Sequence, residues 1–305
     1  MTWTTEDIPD QTGRIAVVTG ANRAARRRLS GGALVTGAAR GLSLEIARVL
    51  ARRGLAVHVT DLDREAAESA AAELGGGAFA STLDVRDEQA CRAAAALTAE
   101  RAGSLELWVN NAGVLVTGPA WKQSEETRRL MLEVNALGTI NGTLAALEPM
   151  RATGRGHVIN VVSLAGIVAA PGEAVYGASK HAAIAFSLGT LYDLRQAGVK
   201  RVDISCVCPD GIWTPMLFDK LDDPAAAASS SGVLLKPEQV AEAVGRLVDR
   251  PRPVTIVPRR RGPLIRAIDL WPRVGLRVIG PALAAGRLKQ KRMRRKVRRG
   301  TLRLR

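Results

Sequence analysis

A chain of 305 residues with 47% hydrophobic content can bury one large core, and its length indicates a single large α/β domain with extensions. No apolar run reaches the roughly 18 to 20 residues that cross a bilayer, so we expect no membrane-spanning segment. The start contains Glu6 and Asp7 and lacks the basic-then-apolar order of a signal peptide, so we expect a cytoplasmic protein. The net charge of +15 comes in large part from the run after Gly286.

The chain carries three cysteines and three histidines, and their positions do not predict a metal site. Cys206 and Cys208 lie two apart on a predicted strand and therefore share one face, where we expect buried thiols. Two ligands alone do not make a zinc site. The histidines are scattered at positions 58, 157 and 181, and we expect each to be structural.

The N-terminal part of the chain contains one pattern twice. Residues 13–23 and residues 33–41 each read as a strand that runs into a glycine-containing loop. Only the second copy continues into an amphipathic helix, predicted over Ser43–Arg53, and then into a strand, as a βαβ unit requires. We therefore expect the working nucleotide loop at residues 36–43.

Residues 1–32 are predicted to be surplus to the fold, because the first copy continues into Arg26, Arg27 and Arg28 with no helix. A chimeric chain or a misassigned start would explain them. The alternative is that the extra strand pairs at an edge of the sheet and stabilises it.

Strands alternate with helices from Ala33 onward, which predicts an α/β fold: a single Rossmann-type doubly wound parallel sheet of about seven strands flanked by helices. After the first strand, the predicted strands are Ala56–Thr60, Ala78–Leu83, Leu105–Asn110, His157–Val162, Arg201–Val207 and Val254–Val257. The predicted helices are Ser43–Arg53, Asp63–Leu74, Glu88–Arg101, Ser124–Met150, Tyr176–Ala197 and Lys236–Asp249. The Ala- and Ser-rich residues Pro224–Gly232 are expected to be mobile.

Tyr176 and Lys180 lie four positions apart and so share one face of a predicted helix. A phenol with an ordinary pKa near ~10 is a poor base at neutral pH, and a nearby ammonium group favours its ionised form. Ser163 follows the apolar run 157–162, which reads as a buried parallel strand. Open α/β sheets bind ligands at the carboxyl ends of such strands. These three side chains therefore predict a proton-transfer site.

The spacing of Ser163 and Tyr176, thirteen positions apart, resembles that of short-chain dehydrogenases/reductases of the Tyr-x-x-x-Lys type. The resemblance extends from about Ala33 to Pro258, and residues 1–22 resemble the start of a retinol-dehydrogenase-like member. It implies a catalytic tetrad that adds Asn135 to Ser163, Tyr176 and Lys180.

The resemblance also implies a role for each member of the tetrad. Tyr176 would be the general acid or base, and Lys180 would lower its pKa and hold the nicotinamide ribose. Ser163 would orient and polarise the reacting oxygen. Asn135 would anchor a water that relays protons outward from Lys180.

Residues 36–43 resemble the family's Thr-Gly-x-x-x-Gly-x-Gly loop, which binds the pyrophosphate of a dinucleotide. Gly37 permits a tight turn, Gly41 lets backbone amides approach the ligand, and the helix beyond supplies positive potential. Ser43 replaces the third glycine, and we expect it to weaken cofactor binding without abolishing it.

Asp61 lies twenty positions after Gly41, at the end of the second strand. A carboxylate there accepts hydrogen bonds from the adenosine ribose and repels a 2′-phosphate, so NAD is favoured over NADP. The guanidinium groups of Arg40 and Arg64 would favour NADP if they bound that phosphate. We prefer to interpret both as solvated surface residues.

The resemblance implies further contacts along the same cofactor. They are Arg40, Leu42, Asp84, Val85, Asn111, Gly113, Pro209, Gly211, Ile212 and Thr214, in addition to Gly37, Gly41, Asp61, Tyr176 and Lys180. Asp210 stands where the family usually has glycine, which leaves the contact at that position open. Asn110 is expected to tie off a strand end rather than to contact the cofactor.

Four apolar residues, Trp213, Met216, Leu217 and Phe218, begin the segment that covers the substrate in relatives. Their apolarity favours a hydrophobic alcohol or ketone, although ordinary core packing also explains a short apolar run.

The resemblance thus implies an NAD(H)-dependent oxidoreductase that interconverts a hydrophobic secondary alcohol and a ketone. The alternative is a cofactor-binding scaffold or sensor at a membrane surface with little turnover, suggested by Ser43, Asp210, the duplicated start and the tail. The complete tetrad favours the enzyme, because a pure binder does not need Ser163 and Tyr176 together.

From Gly262 the chain departs from the family pattern, and residues 262–305 are predicted to be a separate basic, amphipathic extension. Apolar residues near helical spacing, broken by Pro272, precede the Lys- and Arg-rich run 286–305. Such a segment could bind an anionic membrane surface or could be a solvated, disordered tail, and nucleic acid is a less favoured partner. The resemblance also implies a homo-oligomer formed through the long helix and the helix after Tyr176, one face of which the tail could obstruct.

Overall fold

A parallel sheet of seven strands forms the centre of the computed structural model, which describes residues 31–299. The strand order is β3-β2-β1-β4-β5-β6-β7. The strands are β1 (Gly32–Thr36), β2 (Ala56–Asp61), β3 (Phe79–Thr82), β4 (Leu105–Asn110), β5 (Gly156–Val161), β6 (Val202–Pro209) and β7 (Val254–Val257). The predicted doubly wound sheet is confirmed.

Helices cover both faces of the sheet, so the inner strands are buried on both sides and are mostly apolar. One core lies between the sheet and α1 (Gly41–Arg52), α2 (Arg64–Leu74) and α9 (Pro237–Asp249). The other lies under α3 (Glu88–Ala102), α5 (Gly138–Ala152) and α6 (Ala174–Gln196). The order reverses between β1 and β4, and the loops that follow these strands therefore diverge and leave a crevice.

The predicted long helix is helical throughout but contains an irregular turn. It consists of α4 (Glu125–Leu132), a π-helical turn over Glu133–Leu137 and α5, and Asn135 lies inside the π-helical turn. By length and composition, this run of 28 residues is apolar enough to cross a membrane, but 67% of its most apolar window is buried inside the protein. It therefore has the character of a core helix.

The C-terminal extension is helical and packed. After the short helices α7 (Pro215–Phe218) and α8 (Ala227–Ser231), which lie between β6 and α9, the chain ends in α10 (Gly262–Leu270) and α11 (Pro272–Arg298). Pro272 occupies the first turn of α11, where a missing N–H costs nothing, and therefore starts a helix instead of ending one. The alternative of a disordered tail is wrong for residues 262–298.

The predicted mobile stretch is also ordered into helical turns, with α8 packed against α11. The first copy of the duplicated pattern, at residues 13–23, lies outside the described residues. The prediction that residues 1–32 are surplus therefore stays a prediction, although Gly32 itself is the first residue of β1.

Candidate active site

The loop after β1 turns on two glycines with left-handed backbone conformations. Gly37 has φ +62° and Gly41 has φ +63°, values that other residues rarely adopt. A Cβ on Gly37 would also lie 3.1 Å from the Cα of Ala112, in the loop after β4. The two loops that flank the crevice can therefore approach each other only because this position is glycine.

Thr36 joins these same two loops, a role that the sequence reasoning missed. Its hydroxyl accepts hydrogen bonds from the backbone amides of Asn111 and Ala112, both at 3.0 Å, and donates towards the Val109 carbonyl at 3.4 Å. A threonine directly before the glycine of the loop motif was the available signal. Thr36 thus fixes the floor of the crevice.

Ser43, which replaces the third glycine of the motif, is buried and accepts a hydrogen bond from the side-chain amide of Asn111. Both residues line the crevice. The hydroxymethyl group of Ser43 therefore holds the loop after β4.

Asp61 lies at the end of β2, on the rim of the crevice. Its carboxylate accepts hydrogen bonds from the backbone amides of Ala39 and Asp63, both at 3.2 Å. Arg64 is turned to Glu68 on its own helix at 2.8 Å and does not line the crevice, whereas exposed Arg40 does. The carboxylate is thus fixed facing the nucleotide loop, with one guanidinium group nearby.

Asp84 and Val85 follow β3 and also line the crevice. The side-chain hydrogen bond from Arg86 lowers the pKa of Asp84, so this carboxyl is ionised at neutral pH. The Val85 carbonyl accepts a hydrogen bond of 3.0 Å from the Asn141 side chain on α5.

Ser163, Tyr176 and Lys180 come together at the carboxyl end of β5. Ser163 follows that strand, Tyr176 lies in the first turn of α6, and the Ser163 side chain is close enough to lower the pKa of the Tyr176 phenol. Lys180 follows one helical turn later, with Nζ 5.7 Å from the centre of the Tyr176 ring, and donates a 3.2 Å hydrogen bond to the Val161 carbonyl. The predicted convergence of a hydroxyl, a phenol and an ammonium group is present.

Burial is the largest influence on the protonation of this cluster. Burial raises the pKa of Tyr176, the charge of Glu173 raises it further, and the hydrogen bond with Ser163 opposes the shift. Burial also lowers the pKa of Lys180 to about 8. The expectation that Lys180 lowers the pKa of Tyr176 stays a prediction, since the largest influence on the pKa of the phenol in this structure is its removal from water.

Asn135 is fully buried, and its side chain holds the backbone beside Lys180. Oδ1 accepts from the amide of Val114 at 2.8 Å, while Nδ2 donates to the Val114 carbonyl at 2.9 Å and to Ser179 Oγ at 3.1 Å. A Cβ on Gly113 would lie 3.1 Å from Asn135 Oδ1 and 3.6 Å from Lys180 Nζ. Asn135 and Lys180 therefore converge on a backbone surface that glycine keeps open.

Asn110, in contrast, serves the fold as expected. Its buried side chain accepts a 2.7 Å hydrogen bond from the Trp108 indole and donates to Asn160 at 2.8 Å and to Thr143 at 3.1 Å. Every polar atom of the amide is thus engaged inside the protein.

The segment after β6 also lines the crevice, through Pro209, Gly211, Ile212 and Thr214, and Thr214 lies beside Gly41 of the nucleotide loop. The unusual Asp210 accepts hydrogen bonds from the amides of Gly211 at 3.0 Å and Val233 at 2.8 Å, and pairs with Arg261 at 3.2 Å. It ties both ends of residues 211–233, hereafter the substrate segment, to the edge of the sheet.

Beyond the Ser163–Tyr176 pair, the crevice opens into an apolar end. The whole crevice, hereafter the cleft, has a volume of about 780 Å³. Met216 and Leu217 line it as expected, whereas Trp213 and Phe218 pack edge to face with each other, 5.4 Å between ring centres. The other apolar lining residues include Leu115, Leu164, Val168 and Pro171.

Two features of this apolar end were missed by the sequence reasoning. Glu173 is 2% exposed, lines the cleft and accepts a 2.7 Å hydrogen bond from Ser229 of the substrate segment, and burial raises its pKa. The second feature is a wall of aliphatic side chains from α10 and α11. The helical spacing of apolar residues in the C-terminal extension was the available signal for the wall. For Glu173, the available signal was its position three residues before Tyr176.

Comparison with known proteins agrees with this geometry. The family model for short chain dehydrogenases matches residues 32–225. The chain is 36% identical over 223 residues to a cyclopentanol dehydrogenase of Comamonas, covering 70% of this chain and 88% of that protein. It is 34% identical over 207 residues to the 1-deoxy-11-beta-hydroxypentalenate dehydrogenase of Streptomyces exfoliatus, covering 66% and 74%.

A solved structure shares the fold. A short chain dehydrogenase/reductase from Burkholderia phymatum, crystallised in complex with NAD, superposes with a TM-score of 0.72 at 25% identity, covering 78% of this chain and 93% of that one. With the sheet order, the Ser163–Tyr176–Lys180 cluster and the family match in agreement, the chain belongs to the short-chain dehydrogenase/reductase family.

Proposed function

We propose that the protein is an NAD(H)-dependent oxidoreductase that interconverts a hydrophobic secondary alcohol and the corresponding ketone. The observation that carries the proposal is the convergence of Ser163, Tyr176 and Lys180 between a glycine-lined nucleotide end and an apolar end of one cleft. The Tyr176 phenol, as proton donor or acceptor, and the Ser163 hydroxyl could there both hydrogen-bond to the reacting oxygen atom of the substrate.

A dinucleotide fits the nucleotide end of the cleft. Gly37, Gly41 and Gly113 keep the backbone of two loops bare, and α1 begins at Gly41 with its N-terminal amides at the cleft. Asp61 would hold the adenosine ribose, and Lys180 would hold the nicotinamide ribose. Once bound, the nicotinamide supplies the hydride acceptor or donor.

In the direction of oxidation, Tyr176 would take the proton of the substrate hydroxyl while Ser163 donates a hydrogen bond to the same oxygen. Tyr176 must first ionise, and its burial opposes this step. The proton that Tyr176 loses would pass to solvent, and the ammonium of Lys180, which has a pKa of about 8, would stabilise the phenolate by its positive charge. Asn135 is a positioning residue in this scheme, because it holds the Val114 backbone beside Lys180.

The test compares Tyr176→Phe with Tyr192→Phe, which alters the other tyrosine of the chain, 64% exposed on the same helix. We expect Tyr176→Phe to lower kcat for secondary alcohols at least about 100-fold, with NADH affinity nearly unchanged, and Tyr192→Phe to match the wild type. Negligible turnover by all three proteins, with intact NADH binding, would instead support the scaffold or sensor.

The cofactor preference has a separate basis. Asp61 faces the nucleotide loop, and Arg64 is engaged by Glu68, which supports NAD over NADP. Fluorescence titrations with NADH and NADPH test this. A lower Kd for NADPH would overturn the preference without touching the proposed chemistry.

Self-association is proposed through the exposed faces of α4, α5 and α6. Leu132, Leu144 and Leu188 are each 38% to 42% exposed on these helices, which is unusual for leucine on a solvated helix face. Light scattering after gel filtration should give a multiple of the 32.3 kDa chain mass. A monomer at micromolar concentration would contradict the proposal.

Contact with an anionic membrane surface is proposed for the outer side of α10 and α11. Leu264, Leu270, Trp271, Val274 and Leu276 are 53% to 68% exposed there, and residues 262–299 contain twelve Lys and Arg residues and one acidic residue. Apolar side chains beside cationic groups suit an anionic lipid interface.

The test is binding to phosphatidylserine vesicles. We expect binding to fall with Trp271→Ser but not with Trp121→Ser, which alters a tryptophan outside α10 and α11 that is 84% exposed. Equal binding by both variants, or concentration-dependent dimers that Trp271→Ser abolishes, would overturn it.

A further inference from the structure

The apolar end of the cleft is closed by a part of the chain that the family match does not include. The family model ends at residue 225, yet Ile265 and Ile268 of α10 and Ile279, Ala282 and Leu283 of α11 line the same cleft as Ser163 and Tyr176. These five side chains, hereafter the C-terminal wall, are all aliphatic.

The wall faces inward because the buried positions of α11 follow the helical repeat. Gly275, Gly286, Gln290 and Met293 are buried, and Ile279, Ala282 and Leu283 continue the same stripe between them. A Cβ on Gly286 would overlap the Ala227 carbonyl oxygen of α8. Glycine therefore allows α11 to press directly against the substrate segment, which fixes its distance from the cleft.

Polar contacts hold α11 in this place. Lys289 donates a 2.7 Å hydrogen bond to the Gly232 carbonyl, and buried Gln290 donates a 2.9 Å hydrogen bond to the Asp223 carbonyl. Arg294 pairs with Asp222 at 2.9 Å. These bonds reach the substrate segment at two separated points, 222–223 and 232, so α11 and the segment form one cover over the reacting groups.

The chemistry of the cover indicates what it admits. The wall contributes no polar or charged side chain, so it can recognise a ligand only by apolar burial and shape. Glu173 lines the same cleft, where it is buried and hydrogen-bonded to Ser229, and a carboxylate there would repel an anionic ligand. The apolar end is therefore suited to an uncharged aliphatic molecule.

Resting on the function proposed above, we propose that the C-terminal wall determines substrate specificity by setting the size limit for an uncharged, bulky aliphatic alcohol or ketone. Ala282 is the position at which this limit can be changed, because it is the smallest side chain in the wall. A larger residue there would occupy space next to Ile279 and Leu283 that the substrate otherwise fills.

The test is a pair of matched variants on one helix. Ala282→Leu narrows the cleft, while Ala285→Leu adds the same atoms to an exposed position of α11. We expect Ala282→Leu to lower kcat/KM for 4-tert-butylcyclohexanol about tenfold or more, with a change of less than about twofold for 2-propanol. Ala285→Leu should match the wild type for both alcohols, and the Kd for NADH should be the same in all three proteins.

A binding measurement separates this inference from the proposed reaction. In the presence of NADH no alcohol oxidation takes place, and calorimetric titration with 4-tert-butylcyclohexanol reports binding alone. Weaker binding of the alcohol by Ala282→Leu than by Ala285→Leu supports the proposed role of the C-terminal wall, even if no alcohol is turned over. An absence of turnover alone would overturn only the proposed reaction. Equal affinities in these two variants, or no binding of the alcohol by the wild type, would overturn the wall.

Discussion

The side-chain amide of Asn111 donates a hydrogen bond to the hydroxyl of Ser43, so the residue that departs from the family's third glycine joins α1 to the loop after β4. Both residues line the cleft. The position thus combines a contact inside the protein with a place next to the proposed cofactor.

Ser43→Ala is expected to lower the free energy of unfolding by about 1 kcal/mol, because the half-buried Asn111 amide loses its acceptor while the helix keeps a good helix former. Ser43→Gly should cost roughly a further 1 kcal/mol through backbone entropy. Urea unfolding of both variants measures these differences. Stability of Ser43→Ala equal to that of the wild type would show that the hydroxyl does not hold the loop.

The carboxylate of Asp61 is expected to discriminate between the two nicotinamide cofactors. Asp61→Asn removes the charge that would repel a 2′-phosphate, so the ratio of Kd for NADPH to Kd for NADH should fall about tenfold, or about 1.4 kcal/mol. Asp63→Asn, two positions away, is a suitable control, since asparagine caps α2 as well as aspartate does. If Asp61→Asn and Asp63→Asn change the ratio equally, the total negative charge of this region, and not a local contact of Asp61, determines the preference for NADH over NADPH.

The ion pair between Asp210 and Arg261 is expected to hold the substrate segment in place. Arg261→Gln removes the ion-pair partner of a largely buried carboxylate, which keeps only the nearby charge of Lys289, and we expect a loss of about 2 kcal/mol in the free energy of unfolding. Proteolysis within residues 211–233 should also become faster. Arg260→Gln, at the exposed neighbouring position, should change neither quantity. An unchanged cleavage rate in Arg261→Gln would mean that other contacts suffice to anchor the segment.

His58 is expected to make the protein sensitive to acid. It is fully buried, hydrogen-bonded to Thr98 and Ser81 at 2.8 Å, and burial lowers its pKa to about 4 from the ordinary 6.5. Between pH 6.5 and pH 4 the unfolded chain therefore binds a proton that the folded chain does not. Stability is retained above pH 6.5 and is lost as the pH falls to 4, by about 3 kcal/mol from this group.

The measurement is the free energy of unfolding against pH for the wild type and His58→Gln, whose amide can still bond to Thr98 and Ser81. The variant should lose less stability than the wild type across this window, whatever its stability at neutral pH. Parallel curves would show that His58 is not the group that titrates.

Local chemistry made the sheet and most of the nucleotide end predictable. A mostly apolar run such as 157–162 predicts a buried strand, because a strand that is covered on both faces does not alternate between apolar and polar side chains. Glycine at positions 37 and 41 and Asp61 were found because a tight turn and a strand end restrict which residues can stand there.

What sequence reasoning missed depends on contacts between distant parts of the chain. The raised pKa of Tyr176 follows mainly from burial, and sequence reasoning considered the Lys180 charge but not that of Glu173, three positions before the tyrosine. Glu173 gains its place in the cleft through Ser229, and Asp210 gains a role through Arg261. Pro272 suggested a break because a proline that ends one helix and a proline that begins the next look alike in sequence.

The position of the C-terminal wall after β7, beyond the last strand of the sheet, makes the protein modular. The residues proposed to hold the nucleotide follow β1, β2, β3, β4 and β6, whereas the wall belongs to two helices that follow β7. Exchange of α10 and α11 between relatives would therefore remodel one compartment while the nucleotide loops stay intact. On the proposal above, substitutions confined to α10 and α11 would be enough to change the range of substrates that relatives bind.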